Sequence, residues 1–398
     1  MDADLLIVGA GPAGTATASF LAALAPALAA RTLVVDKDEF PRDKVCAGAI
    51  GRRAEARLAA IGIAPEIPGV PVRALAVRAG GRELRVREDA VIGRVVRRVD
   101  FDAALLEAAR ARGVATRTGV RVTGLRRRPG GLEVATSAGA LTTRIVVGAD
   151  GVGSAVRRAL GLPKGRWRAQ AVEVDTPDDG SLAPDELRFD LSLRRIAGYA
   201  WDFPTLVAGR RMIGRGLYRL GREAAAGLGA AAADEAWPDL AELLRERLRA
   251  LGVDTDGLAV RRFAERGLCP SEACARPRVL LVGEAAGVDP VLGEGIAQAV
   301  LYGEVAARYL APRMRSGDCD FADWPAALSQ TRLGLDLRVR ARALGVVYAA
   351  RTRPFVERWL TRSHALARAG ARYFAGRPVP RAWLARAALD ACAAALLR

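Results

Sequence analysis

The sequence predicts a mixed α/β protein, α+β overall, built from three parts. A discontinuous parallel-sheet domain is expected over residues 1–165 and 270–310, an inserted antiparallel-sheet domain over 166–269, and a helical region over 311–398. Three observations predict this division. An apolar run followed by a glycine-bearing loop occurs three times, the stretch between the second and third alternates apolar and polar residues, and the C-terminal part repeats apolar residues at helical spacing.

Composition narrows the function classes before any motif is considered. The 398 residues, 51% of them hydrophobic, are enough to bury a large core. The net charge of +17 comes almost wholly from arginine, since Lys37, Lys44 and Lys164 are the only lysines in the sequence. The arginines are scattered and form no basic block interleaved with aromatic residues, which argues against a nucleic-acid-binding protein.

Cysteine and histidine usage excludes further classes. The five cysteines are odd in number and irregularly spaced, so they suggest neither a disulfide framework nor a zinc motif. Reduced thiols fit a cytoplasmic protein. His364 is the single histidine, so a histidine-based triad is not expected, and we predict no metal site.

The first part opens on a predicted strand, a glycine loop and a helix. The apolar run 5–8 is followed by Gly9-x-Gly11-x-x-Gly14, by a helix-compatible stretch, and by a second apolar run ending at Asp36, twenty-two positions after Gly14. This order is typical of a Rossmann-like βαβ unit. Its glycines let the backbone approach a pyrophosphate, its helix N-terminus donates N–H groups, and its carboxylate binds a ribose. The sequence therefore predicts dinucleotide binding.

The same region is long and uncharged enough to imitate a membrane span. Residues 5–30 carry no charge, but they contain ordered glycines and two prolines, and they follow Asp2 and Asp4 instead of a basic segment. A buried strand-turn-helix is the better interpretation. Pro26 should end or kink the helix.

Two later segments repeat the change from strand to glycine loop. The second has an apolar run at 145–147 and then Gly148-Ala149-Asp150-Gly151, and the third has an apolar run at 279–282 and then Gly283-Glu284, Asp289-Pro290 and Gly293-Glu294-Gly295-Ile296. Motifs this far apart indicate one long cofactor held by distant parts of the chain. A flavin dinucleotide, FAD, needs such contacts more than a nicotinamide cofactor does.

Together the three motifs resemble the FAD-dependent oxidoreductases related to p-hydroxybenzoate hydroxylase. The resemblance implies that the glycines of the first motif lie along the pyrophosphate, that Asp36 holds the adenosine ribose, and that Asp150 supports a cofactor-binding turn. Glu284 stands where these proteins usually carry aspartate. The cofactor-binding residues implied are Gly9, Gly11, Pro12, Ala13, Gly14, Asp36, Lys37, Arg42, Cys46, Ala47, Gly48, Arg98, Asp150, Gly151, Gly283, Glu284, Pro290, Gly293, Gly295 and Ile296.

The inserted part carries an aromatic stripe. Tyr199, Trp201 and Phe203 alternate in YAWDFP, so on a strand they point to one face, either as core residues or as the wall of a substrate site. With Gly214-x-Gly216 downstream, the stretch resembles the signature of the geranylgeranyl reductases, which implies an isoprenoid-binding wall. Tryptophan halogenases carry a related Trp-x-Trp-x-Ile-Pro.

A cysteine loop completes this resemblance. FPRDKVCAGAI, residues 40–50, is similar to the geranylgeranyl reductase loop in which a cysteine lies at the flavin face beside the substrate double bond. The resemblance makes Cys46 the candidate catalytic residue, shaping the reacting site and serving as a candidate proton donor. A packed cysteine in a tight turn is the alternative.

The C-terminal helices are rich in arginine. They either pack on the main body with a solvated basic face or provide a peripheral contact with an anionic membrane. Oligomeric state is left open.

The leading hypothesis is an FAD-dependent reductase of isoprenoid lipid biosynthesis that saturates double bonds of a prenyl chain. An FAD-dependent monooxygenase or halogenase acting on an aromatic or polyketide-like substrate is the first alternative, and a flavoprotein acting only in binding or electron transfer is the second. No second nucleotide fold is predicted, so NAD(P)H, a ferredoxin and a reductase partner all remain compatible electron donors.

Overall fold

The computed structural model describes residues 1–230 and 237–396. Within them the strands are β1 (Ala3–Val8), β2 (Thr32–Val35), β3 (Ala49–Gly51), β4 (Gly69–Val72), β5 (Ala74–Ala79), β6 (Arg82–Arg87), β7 (Gly93–Val96), β8 (Ala115–Arg117), β9 (Val122–Arg128), β10 (Gly131–Thr136), β11 (Gly139–Gly148), β12 (Arg168–Pro177), β13 (Glu186–Asp190), β14 (Gly198–Val207), β15 (Arg210–Leu220), β16 (Arg261–Arg266), β17 (Ala275–Arg276) and β18 (Val279–Leu281).

The helices of the same residues are α1 (Pro12–Leu24), α2 (Pro26–Ala29), α3 (Arg52–Ala59), α4 (Arg98–Arg110), α5 (Ala155–Ala159), α6 (Arg222–Gly227), α7 (Leu240–Ala250), α8 (Ile296–Ser316), α9 (Trp324–Gln330), α10 (Arg332–Tyr348), α11 (Arg353–Leu360), α12 (His364–Phe374) and α13 (Arg381–Leu396). A 3₁₀ turn spans Gly283–Ala285. The break between α1 and α2 falls at Pro26, as predicted, because proline cannot continue the hydrogen-bonding of the helix.

The first sheet brings the three glycine motifs together. Two of its eight strands form an antiparallel extension, in which β10 pairs with β11 and β9. The other six strands follow the order β17-β18-β11-β1-β2-β8, and the pairs from β18 to β8 are parallel. Strands β1, β11 and β18 therefore end at the same edge of the sheet, and each glycine motif begins there. The α/β class predicted from these motifs is confirmed.

The second sheet is the predicted one, antiparallel in every pair except the parallel pair β5–β13, and it includes strands from outside the inserted segment. Its order is β16-β12-β15-β14-β13-β5-β6. Strand β14 carries the aromatic stripe and pairs with β15, which carries Gly214 and Gly216. Strands β5 and β6 belong to residues 74–87, inside the range 1–165, yet β5 hydrogen-bonds to β13. The domain boundaries at 165/166 and 269/270 remain a prediction.

The packing of α1 against α8 brings the first and third glycine motifs close together. Helices α1 and α8 lie against each other, and a Cβ on Gly303 of α8 would stand 2.5 Å from the Cβ of Ala16 on α1, so only glycine permits this approach. Both helices begin at a glycine motif, and their close packing places the two N-termini side by side.

The C-terminal helices close over a small three-stranded sheet, β3-β7-β4. Phe374 at the end of α12 lies over two glycines, since a Cβ on Gly51 or on Gly93 would come within 2.5 Å of its atoms. In the part of the chain that the structure describes, no helix combines the length and apolar character needed to cross a bilayer.

Candidate functional site

The first glycine motif forms a cradle at the edge of the parallel sheet. Gly9 has φ of 105°, and a Cβ there would lie 2.4 Å from the carbonyl oxygen of Ala149. A Cβ on Gly14 would lie 1.9 Å from the oxygen of Gly9. The outer side is open, because a Cβ on Gly11 would meet only the Arg42 guanidinium, at 3.7 Å. Pro12 and Ala13 start α1, whose N-terminus has no side-chain cap.

The third motif meets the first across this edge. A Cβ on Gly283 would stand 2.7 Å from the Cβ of Ala13, so the two backbones are in contact. Helix α8 begins at Ile296 after Gly295, again without a side-chain cap, and its first turn is near the start of α1, because the same Cβ on Gly283 would stand 3.9 Å from the Cβ of Ala299. Two uncapped helix N-termini, with their partial positive charge, are suited to an anionic ligand.

The predicted ribose-binding residue, Asp36, lies beside the glycine cradle. Asp36 follows β2, and its carboxylate accepts hydrogen bonds from the N–H groups of Ala10 at 2.6 Å and Asp38 at 2.9 Å, so it is oriented at the cradle. Neighbouring Lys37 points outward and pairs with Asp38.

Asp150 supports the turn at Gly151. It accepts from the Ser154 hydroxyl at 2.6 Å and from the N–H groups of Ala155 and Val156, so it caps helix α5 behind the turn at Gly151. Burial raises the pKa of this carboxyl above its usual range, with these hydrogen bonds acting in the opposite direction.

The basic residues are held by carboxylates. Arg98 forms a buried bidentate pair with Asp102, with both contacts at 2.6 Å, and Arg42 approaches the same carboxylate at 3.2 Å. Lys44 pairs with Glu284 at 3.1 Å, so the cysteine loop is tied to the third motif across 240 residues of sequence. The longer side chain of Glu284, compared with the usual aspartate, is used in this contact.

A cavity of about 390 Å³ lies where the cysteine loop, the third motif, the antiparallel sheet and the C-terminal helices meet. The volume is within the range of about 300–1,000 Å³ that small-molecule sites occupy. Six predicted cofactor residues and the three predicted substrate residues line it: Cys46, Ala47, Gly48, Gly293, Gly295, Ile296, Tyr199, Trp201 and Phe203.

The aromatic stripe is both core and cavity wall. Tyr199, Trp201 and Phe203 are at most 5% exposed, yet all three face the cavity. Gly216 is paired with Trp201 in the sheet, and a Cβ there would fall 2.1 Å from the indole Cζ2 and 2.4 Å from the Val172 carbonyl oxygen. The Gly-x-Gly motif thus makes room for the indole ring. The three residues are therefore packed in the core and also line the cavity, and their role in binding a substrate stays a prediction.

Three tyrosines hold the loop that precedes Gly293. The hydroxyls of Tyr218, Tyr348 and Tyr199 donate to the carbonyl oxygens of Pro290, Val291 and Leu292 at 2.9, 2.6 and 2.6 Å. The tyrosines come from β15, α10 and β14, so the second sheet and the C-terminal helices jointly fix a loop of the nucleotide-binding part.

The thiol of Cys46 is half-buried and lines the cavity. Burial raises its pKa above the usual range, while the charges of Arg98 and Lys44 act in the opposite direction. The thiol therefore stays protonated at neutral pH. Glu173 lies next to this loop, and burial raises the pKa of its carboxyl to about 7, against the opposing effect of Arg261, whose Nη2 is 3.0 Å away.

Several cavity residues were missed by sequence reasoning. The helical region 311–398 was interpreted as body packing or membrane contact, but α10, α11 and α12 supply a wall of the cavity. Glu265 and Glu294 are its carboxyl groups. No local motif marks these positions, although Tyr218 could have been found from its alternation with Gly216. Among the missed residues are Tyr218, Phe263, Glu265, Glu294, Arg340, Tyr348, Tyr373 and Phe374.

The chain is similar to known FAD-binding proteins in sequence and in fold. Residues 2–315 match the family described as FAD binding domain. A menaquinone reductase from Mycobacterium tuberculosis is 29% identical over 350 residues, covering 82% of this chain and 80% of that protein. A geranylgeranyl bacteriochlorophyll reductase-like structure from Thermoplasma acidophilum has a TM-score of 0.72 at 20% identity, covering 93% of this chain and 95% of that one. A mutant of the halogenase PltM in complex with FAD has a TM-score of 0.69 at 14% identity, covering 99% of this chain and 86% of that one.

The residues present fit the cofactor that this family binds. The open side of Gly11 and the uncapped starts of α1 and α8 provide the anion cradle, and Asp36 is oriented beside it. The two structural likenesses are below 25% identity and show the fold, while the family match covers well over half of the chain. The chain therefore belongs to the FAD binding domain family and is an FAD-dependent oxidoreductase.

Proposed function

We propose that this protein is a reductase that saturates carbon–carbon double bonds of a prenyl chain, such as the chain of a prenylated quinone or lipid. The observation that carries the proposal is the apolar, aromatic-walled cavity that runs from Cys46 and the Gly293–Ile296 loop to the C-terminal helices. A cavity that joins the predicted flavin-binding loop to an apolar wall suits a substrate that reacts in the middle of a hydrocarbon.

The chemistry of the wall matches that substrate class. An isoprene unit has no hydrogen-bonding group, so its binding free energy comes from burial, at about 0.8 kcal/mol per carbon or about 4 kcal/mol per five-carbon unit. Phe189, Trp201, Phe203 and Phe263 provide such a surface. The tyrosine hydroxyls that would make it polar are already used by the carbonyls of the 290–292 loop.

The relatives support a prenylated quinone among the candidate substrates. The proteins at 28–29% identity from Mycolicibacterium smegmatis and Mycobacterium tuberculosis are menaquinone reductases, and menaquinone carries a prenyl chain. The likeness to a halogenase is one of fold, and halogenation or oxygenation is an outcome that the test below distinguishes.

In this proposal the cofactor supplies the reducing chemistry and the chain positions the substrate. Reduced FAD, when bound, would supply a hydride for one carbon of the double bond. The chain orients that bond between Trp201 and the Cys46 loop, and it excludes water by closing the cavity with α10 and α12. Tyr218, Tyr348 and Tyr199 keep the Gly293 loop in place during this contact.

A peripheral membrane contact belongs to the same proposal. Helix α10 exposes Leu335, Val339 and Val346, while its neighbouring residues Val347 and Tyr348 line the cavity. Exposed apolar side chains among arginines are suited to an anionic lipid surface. The protein should co-sediment with anionic vesicles and much less with neutral ones; equal or absent binding would contradict this contact.

The function is tested by the mass change of a geranylgeranyl compound and of menaquinone after incubation with the chemically reduced enzyme, with and without oxygen. Because the enzyme is reduced chemically, the test does not depend on the natural electron donor. Gains in steps of two hydrogens that are located in the prenyl chain, without oxygen, support the reductase; a gain confined to the menaquinone ring, which the chemical reductant produces by itself, counts as no change. A gain of oxygen or halogen that requires oxygen, or no change in either substrate, contradicts it.

A further inference from the structure

We infer that Glu265 is the proton donor of this reaction, a role that rests on the proposed function. Glu265 is in β16, and its side chain lines the cavity together with Cys46 and Gly293. Its Oε2 lies against the third motif, since a Cβ on Gly293 would stand 2.2 Å from it. The carboxyl group is thus at the loop that is expected to hold the flavin and also faces the space left for substrate.

Glu265 is the free member of the two carboxyl groups that line the cavity. Glu294 is neutralised by Arg53 at 2.7 Å and Arg340 at 3.3 Å. Within residues 1–230 and 237–396, Glu265 makes no ion pair, and its Oε2 is inaccessible to solvent and without a hydrogen-bond partner. A buried carboxylate without partners is costly, so this group is most stable as the neutral acid.

The surroundings agree with a protonated carboxyl. Burial raises the pKa of Glu265 well above its usual range, the charges of Glu284 and Asp289 raise it further, and Lys44 opposes them. The charged and titratable groups that face it from the packed elements are Lys44, Glu284, Asp289, Tyr199, Tyr218 and Tyr348. A carboxyl group that is neutral at pH 7 can donate a proton, whereas burial makes the Cys46 thiol, already the weaker acid by type, weaker still.

The step balances as follows. The O–H bond of Glu265 and the π bond of the alkene break, and the π electron pair takes the proton to form a C–H bond at one carbon. The hydride that reduced FAD would supply when bound forms the C–H bond at the other carbon. Glu265 is left as a carboxylate. It regains a proton from solvent before the next turnover.

The experiment compares wild type with Glu265→Gln, Glu265→Asp and Cys46→Ala, all as FAD-loaded proteins. Infrared difference spectra near pH 7 should show a protonated carboxyl band in wild type and Cys46→Ala that is missing in Glu265→Gln. In anaerobic single turnovers with the prenyl substrate, Glu265→Gln should be at least about 100-fold slower than wild type, the size of a general-acid contribution. Glu265→Asp, which keeps the acid, should recover at least about tenfold of that loss.

The outcomes separate the two proposals. If wild type reduces no prenyl substrate, the proposed function and the role of Glu265 both fail. If wild type reduces it and Glu265→Gln is within about threefold of wild type, only the role of Glu265 fails. Loss of FAD from Glu265→Gln would assign the residue to cofactor binding, and a missing carboxyl band in wild type would show an ionised group; either result overturns the inference.

Discussion

Replacing the three loop-holding tyrosines by phenylalanine should loosen the 290–292 loop and weaken FAD binding. Each Tyr→Phe change removes a hydroxyl that donates to a carbonyl oxygen of Pro290, Val291 or Leu292 at 2.6–2.9 Å. Because the remaining carbonyl oxygen is left without its donor, each change should cost about 1–3 kcal/mol of unfolding free energy.

The expected shift in melting temperature follows from chain length. An unfolding entropy of about 2.1 cal/mol/K per residue over 398 residues gives about 0.8 kcal/mol/K, so each kcal/mol lowers Tm by about 1 °C. A single variant such as Tyr348→Phe should lose about 1–3 °C. The triple variant should lose at least about 3 °C, although the three effects will not add strictly because the carbonyls are neighbours.

The assay is thermal unfolding and FAD titration of Tyr199→Phe, Tyr218→Phe, Tyr348→Phe and the triple variant. Tyr309→Phe is a matched control. The Tyr309 hydroxyl donates to Asp323 at 2.5 Å and not to the 290–292 loop. The triple variant should bind FAD about tenfold more weakly, equivalent to about 1.4 kcal/mol. If its FAD affinity stays within twofold of wild type while its Tm falls as in the control, the loop is not held by these hydroxyls.

Three further changes test other parts of the site. Cys46→Ala should retain FAD and lose about tenfold or more in anaerobic single-turnover rate, because about 1.4 kcal/mol of substrate positioning is lost beside the double bond; an unchanged rate would remove the thiol from the site. Gly216→Ala should lower the unfolding free energy by about 1–3 kcal/mol and weaken substrate binding, because the added methyl group meets Trp201 and the Val172 backbone. Gly214→Ala is the control and should do neither, because the added Cβ would come no nearer than 3.7 Å to the atoms around it. Equal effects of the two changes in denaturant unfolding would contradict this explanation. Glu173 has its pKa raised from 4.5 to about 7 on folding, so its stability contribution is present below about pH 4.5 and lost as pH rises through about 7. Glu173→Gln should then be more stable than wild type at about pH 8.5 by up to about 3 kcal/mol and similar at about pH 4, and parallel pH curves of denaturant unfolding would refute the assignment.

Most of the nucleotide-binding part could be predicted because its determinants are local. Gly9 requires a positive φ, Gly11 leaves the backbone open, and Asp36 follows a short apolar strand, so each property is set by the residue and its immediate neighbours. The alternation of Tyr199, Trp201 and Phe203 likewise shows on its own that the three side chains share one face.

Tertiary structure alone decided what that face meets and how the groups near it ionise. Strands β5 and β6 join the second sheet from residues 74–87, and α10 to α12 cover the cavity from more than 100 residues further along the chain than the aromatic stripe. Neither pairing leaves a periodic signal in the sequence. Nothing in the local sequence distinguishes Glu265 from an exposed glutamate, and its Oε2 is shielded from solvent in the folded chain, where it lies against the Gly293 loop. Backbone conformation and side-chain alternation are properties of short segments, whereas cavities, burial and pKa shifts arise from segments that are distant in sequence and adjacent in space.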